Sequence, residues 1–143
     1  MKSLMKICLK TDNSGNISLS LLFLRIIVGV FMLTHGYGKF LMLMGDGPIQ
    51  FADPIGIGVT ASLILAVFAE FICSILLIFG VLTRLSAIPL LTTMLVAGLI
   101  VHARDAFNVK ELALLYASIY LVIIIAGAGK YSVDNWLFKR LKL

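Results

Sequence analysis

Four long apolar runs bound nearly everything this chain can become. They extend from Ile17 to about Met44, from Ile57 to Leu82, from Leu85 to Val101 and from Leu112 to Ala128. The last two hold about 17 residues each. At about 1.5 Å per residue they reach roughly 26 Å, enough for a bilayer core only with little tilt. Membrane β-strands are excluded, because the runs are too long and show no strict alternation. Irregular backbone in lipid is excluded by its unsatisfied hydrogen-bonding groups. What remains is an all-α antiparallel bundle of four transmembrane helices. Composition agrees: 61% of residues are hydrophobic and 13% charged, where a soluble domain is nearer half and a quarter. The first run reads as a retained helix, not a cleaved signal peptide, since its core is too long and no small-x-small site follows.

The breaks between runs set the topology. Gly45, Asp46, Gly47 and Pro48 end the first run, and the loop to Gly58 carries Ile49, Phe51 and Ile55, which suit the membrane interface. Thr83 and Arg84 alone separate the second and third runs, which forces an antiparallel hairpin. A polar loop from His102 to Glu111 follows, and Gly127 to Gly129 closes the fourth run. The chain thus divides into a basic tail (1–16), a membrane domain (17–137) and a second basic tail (138–143). Lys2, Lys6, Lys10, Arg84, Lys130, Lys139, Arg140 and Lys142 fall on one side of the membrane. Lys39, Arg104 and Lys110 fall on the other. The basic side is expected to be cytoplasmic, placing both termini inside, with Trp136 as an interface anchor. The same clustering explains the net charge of +5 without nucleic acid, because no basic stripe with interleaved aromatics exists. The lipid bilayer is the partner that composition implies. Cys8 and Cys73 lie far apart and form no CxxC pair, so they read as ordinary small apolar residues.

An ionisable group near the bilayer centre costs a few kcal/mol, so each one needs a partner, a cavity or a task. Arg25, His35, Lys39, Glu70 and His102 all fall within or at the edges of the runs. At about 100° per residue, Arg25, Gly29, Met32, His35, Gly36 and Lys39 share an arc of about 120° on the first helix. That face should point into the bundle, with the glycines admitting a second helix closely. Arg25 and Glu70 are expected to pair across a modest difference in depth, either to fix packing or as a working site. His35, Lys39, His102 and Glu111 project toward the opposite end, with Asp53 and Asp105 in the adjoining loops. This group suits proton handling or binding of a polar head group, or else a hydrogen-bonded plug. No metal is expected, since the spacing matches no ligand pattern and Lys39 would oppose a cation. Tyr116 and Tyr120, four apart on the fourth run, form either an aromatic platform for a quinone or ordinary packing.

Taken in order, these residues resemble the DoxX family. The first helix carries Arg25 and then an H-G-x-x-K pattern in His35, Gly36 and Lys39. The second carries an embedded Glu70 before a G-x-x-T-R hairpin at Gly80, Thr83 and Arg84. His102 ends the third, Glu111 to Leu115 opens the fourth as E-x-A-L-L, and Gly127, Gly129, Tyr131, Ser132 and Asp134 match a closing G-x-G-x-Y-S-x-D. The likeness covers about Leu19 to Leu137. It implies a four-helix protein of the bacterial inner membrane, and an accessory subunit of a quinone-linked redox system with redox or membrane protein partners. The alternative is a non-catalytic scaffold or small-solute carrier that uses the polar bundle interior. Electron transfer would need a bound quinone or a partner, because the chain shows no haem-like His pair across the bundle, no Cys pair and no nucleotide motif.

Overall fold

In the computed structural model, which describes residues 14–141, the apolar runs become helices that pass back and forth. The elements are α1 (Ser14–Met44), α2 (Val59–Phe79), α3 (Thr83–Val101), α4 (Phe107–Ala126) and a short α5 (Val133–Leu141). The first four are long and apolar enough to cross a membrane, and no strand occurs among the described residues. Lys2, Lys6, Lys10, Cys8 and Lys142 lie outside the described residues. α1 packs mainly on α2, α2 on α3 and α3 on α4, whereas α1 and α4 share only a small contact. One end of the bundle gathers the start of α1, the α2–α3 hairpin and the segment after α4; it is called here the basal end. The loops after α1 and α3 form the loop end.

The buried stripe of α1 runs through Leu21, Arg25, Val28, Gly29, Met32 and Gly36, as its helical phase requires. The glycines bring α2 close. A Cβ on Gly36 would lie 2.5 Å from the carbonyl of Glu70, and one on Gly29 would lie 3.2 Å from the carbonyl oxygen of Ser74. Backbone therefore rests on backbone, the arrangement small residues permit between membrane helices. The core below consists of Val28, Cys73, Leu77, Ala87, Leu90 and Ile123. Large apolar side chains such as Phe23, Phe31, Leu65, Leu121 and Ile125 stand exposed around the outside. A surface of that kind belongs in lipid.

Helix ends depart from the runs by a few residues, for local reasons. α2 stops at Phe79 because Gly80 turns left-handed (φ 70°). The Gly80 amide bonds to the Leu77 carbonyl and the Val81 amide to that of Leu76, a Schellman closure. α4 starts at Phe107, not Leu112, because a charged first turn is tolerated where the helix leaves the hydrocarbon and Phe107 already faces outward. The expected loop after His102 is shortened accordingly. Two helices also widen from α to π geometry, α2 over Phe68–Cys73 and α3 over Ala97–Val101. Such widened turns frequently occur at functional sites.

Candidate functional site

Both widened turns face the same place. Glu70 lies within the first, with its side chain only 1% exposed. Its carboxylate accepts two hydrogen bonds from Lys39 Nζ of α1, at 2.5 Å (Oε1) and 2.6 Å (Oε2). The lysine is 28% exposed on its side chain, and its ammonium also lies 5.6 Å from the centre of the Phe51 ring, within cation–π range. Phe40 stacks on Phe71 at 4.7 Å between centroids, clamping α1 and α2 beside the pair.

This arrangement corrects the expected Arg25–Glu70 pair. Gly36 is level with Glu70. Arg25 lies eleven residues before Gly36, about 16 Å along the axis, whereas Lys39 lies three residues beyond it, about 4.5 Å. An arginine side chain cannot cover the first distance, and a lysine readily covers the second. Arg25 serves the basal end instead. It is wholly buried, and its Nη2 donates to the Tyr131 carbonyl at 2.5 Å. The neighbouring Asp134 accepts the amides of Leu82 (2.7 Å) and Thr83 (2.8 Å), while its own amide donates to the Gly80 carbonyl (2.9 Å). Leu82 is thereby held in a left-handed conformation (φ 47°) that a non-glycine residue adopts only with support. A Cβ on Gly80 would overlap the Arg25 guanidinium. The Arg25, Gly80 and Asp134 positions are therefore one structural lock.

Two cavities meet at the Lys39–Glu70 pair. The first, about 290 Å³, has apolar walls from Phe51, Pro54, Ile55, Leu65 and Val96, with Ser62 and Thr93 among its polar groups. The second, about 220 Å³, lies toward α4 and is bounded by His35 and Tyr116. Lys39, Glu70, Ala97 and His102 line both. His102 Nδ1 lies 2.6 Å from Asp105 Oδ2, and Asp105 is exposed. A carboxylate there fixes the ring and leaves Nε2 as the nitrogen available to another partner. The loop over the first cavity is tied by Asp53, whose carboxylate accepts the Ser62 hydroxyl (2.8 Å) and the amides of Gly58 (2.8 Å) and Ile57 (3.0 Å). The Ser62 hydroxyl first, and then the Gly58 amide, hold the Asp53 carboxyl below the usual carboxylate range.

Of the expected site residues, Lys39, Glu70 and His102 come together, and His35 joins them at the rim of the second cavity. His35 meets Tyr116 edge to face at 6.4 Å, and Tyr116 stacks on Tyr120 at 6.2 Å. Tyr116 lines the second cavity, while Tyr120 is fully buried behind it. Glu111 is exposed on the second turn of α4 and lines neither cavity. Among the described residues, no group of three or more His, Cys, Asp or Glu is placed to hold a metal. Phe51 stands in the sequence only as an apolar residue of the interface loop, and nothing local marks it as the aromatic cap of the Lys39 ammonium.

The DoxX family profile matches residues 20–103, which include every residue common to the two cavities. The chain belongs to the DoxX family. A Haemophilus influenzae protein, described as uncharacterized, is 36% identical over 84% of this chain and 92% of its own length. The Bacillus subtilis "Putative oxidoreductase CatD" is 31% identical over 82% and 87%, respectively. The Escherichia coli "Inner membrane protein YqjF" is 28% identical over 81% and 90%. No solved structure matches. In this DoxX protein, the matched stretch ends at the loop after α3. The Asp134 that completes the basal lock therefore lies beyond it.

Proposed function

We propose that this DoxX protein is an accessory membrane subunit of a quinone-linked redox system and that the cavity at Lys39, Glu70 and His102 holds the quinone head group. The observation that carries this reading is a buried ion pair forming the common wall of two cavities. Glu70 takes two of the donors of the lysine ammonium, which leaves a further one on the wall of both cavities. The donor set suits the ligand. A ring with two carbonyl oxygens needs apolar walls for its faces and hydrogen-bond donors at its edge. The first cavity provides Phe51, Ile55 and Leu65 for the former and, for the latter, Lys39 and, when Nε2 carries a proton, His102. Its volume is at the small end for ligand sites, which fits one ring whose apolar tail stays in lipid.

When bound, a quinone takes up two electrons and two protons on reduction. The chain's own residues then have separate tasks. Lys39 Nζ donates toward a carbonyl oxygen, and Glu70 holds the ammonium in position through two hydrogen bonds. His102, oriented through Nδ1 by Asp105, passes a proton between water at the loop end and the cavity through Nε2. Electrons come from a partner subunit. The oxidoreductase name of the Bacillus subtilis relative is in line with this reading. The inner membrane, with both termini cytoplasmic, is the location we infer. Arg84, Lys130, Lys139 and Arg140 cluster at the basal end, whereas the loop end holds Arg104, Lys110 and the neutralised Lys39.

Extraction into native-lipid nanodiscs, followed by mass spectrometry of the lipid fraction, tests the reading. The native chain should retain quinone near one per protein, and Glu70→Gln should retain several-fold less while still folding. Quinone at the level of bulk lipid in both would sink it. Solute or proton flux altered by Glu70→Gln in liposomes, with no quinone retained, would instead favour a carrier.

A further inference from the structure

The second cavity, about 220 Å³, has no task in the reading above. Five of its eleven lining residues carry titratable groups: His35, Lys39, Glu70, His102 and Tyr116. They come from α1, α2, the end of α3 and α4, and they converge on one space. That space has a definite course. His102 and Val109 stand on its wall near the loop end, while Tyr116 is the tenth of the 20 residues of α4. Tyr116 lies seven residues beyond Val109, about 10 Å along the axis. Beneath it Val28, Leu90 and Tyr120 are packed in the buried core. The cavity is therefore a shaft that enters from the loop end and stops halfway through the bundle, with the Lys39–Glu70 pair on its wall.

The lining selects the occupant. An apolar cavity stays dry, whereas a polar one holds water that hydrogen-bonds to several groups of its wall. Here a carboxylate accepts, an ammonium donates, and two imidazoles and a phenol can do either. The volume is far more than one water requires. His35 is exposed at this depth, one residue from the Gly36 that is level with Glu70. An imidazole facing acyl chains at mid-membrane costs free energy, and water in the shaft removes that cost. We propose that the second cavity is a water-filled half-channel, giving the Lys39–Glu70 pair proton access from the loop end and none from the basal end. Protons move along this water, flanked by His35 and His102 as groups able to take one up and release it. The half-channel shares the ion pair with the quinone reading and needs no quinone in the first cavity.

Radiolytic footprinting of the full native chain in nanodiscs tests the water, since hydroxyl radicals formed from bound water mark the side chains beside it. The readout is oxygen added to Tyr116 against Tyr120. The two have the same chemistry and stack on the same helix, but only Tyr116 lines the cavity. Tyr116 should be marked several-fold faster. Equally slow marking of both, as an acyl chain in the shaft would give, overturns the proposal. Sidedness is read from Ala113→Cys in a Cys8→Ser background, with a small, charged, membrane-impermeant methanethiosulfonate added to either face of oriented vesicles. Ala113 lines the cavity, and Cys73, only 1% exposed, should not react. Ala113→Cys should be modified from the loop end alone, whereas Leu115→Cys, exposed on the outer surface, should resist from both faces. Equal modification of Ala113→Cys from both faces, or none from the loop end, would overturn the one-sided access. Quinone retained with Tyr116 unmarked would sink the half-channel and leave the head-group reading standing; Tyr116 marked with no quinone retained would do the reverse.

Discussion

The two ends of the bundle treat buried charge in opposite ways. At the basal end, Asp134 accepts backbone amides on both oxygens and Arg25 donates through Nη2 to the Tyr131 carbonyl, its Nε and Nη1 being buried without a hydrogen-bond partner among the described residues, so three stretches distant in sequence are locked together. At the loop end, Glu70 is also almost fully buried, but its lysine partner stands on the wall of two cavities, beside two helices widened to π geometry. Charge that is enclosed and tied to backbone builds the fold. Charge that borders empty space is arranged for something that enters.

That contrast can be broken at either end. The largest effect is expected from Glu70→Ala, which leaves the Lys39 ammonium without its counter-charge. The cost should be about 3–5 kcal/mol, read as a lower unfolding midpoint in detergent, together with loss of retained quinone. Asp134→Ala comes next. It removes the cap of α3 and should cost about 1–3 kcal/mol, yet folded molecules should retain quinone as before. Loss of quinone retention at intact fold would show that the two ends are not independent. Gly36→Ala should cost about 1–3 kcal/mol, because its methyl must push the Glu70 backbone away. Its effect on retention should exceed that of Gly29→Ala, which presses on α2 farther from the pair.

The smallest effect concerns acid. Asp53 is held below the ordinary carboxylate range by Ser62 and Gly58. A depressed folded value means that the tie is fully present above the unfolded value near 4 and fades as pH falls through the folded one. The Ile57 and Gly58 amide resonances should therefore stay in their bonded positions from pH 7 to about 4 and move only below it. Asp53→Asn should remove that transition.

Fold and site were not equally legible in the chain. Lipid solvent imposes length and apolarity on each span, so the four helices could be read from the runs alone. The inward face of α1 at Arg25, Gly29, Met32 and Gly36 followed from helical phase, which fixes direction around an axis, whereas His35, at the edge of the same arc, is exposed. Depth along the axis is another matter. α1 has 31 residues and α2 spans 21, so counting inward from the basal end placed Arg25 too near Glu70. Counting from the loop end would have paired Lys39 with it. The Asp134 cap and the two widened turns depend on contacts across the bundle, which no local pattern announces. Glu111 was drawn into the site by its charge and its position at a run edge, and the early start of α4 leaves it outside.

The most direct test removes both members of the ion pair at once, as Lys39→Met with Glu70→Leu. Replacing a buried pair by apolar residues of similar size is often neutral or stabilising, so the bundle should melt within about 1–2 kcal/mol of the native protein, while retained quinone falls to the level of bulk lipid. A double variant that folds equally well and still holds quinone one to one would contradict the account, because the pair would then be packing and nothing more.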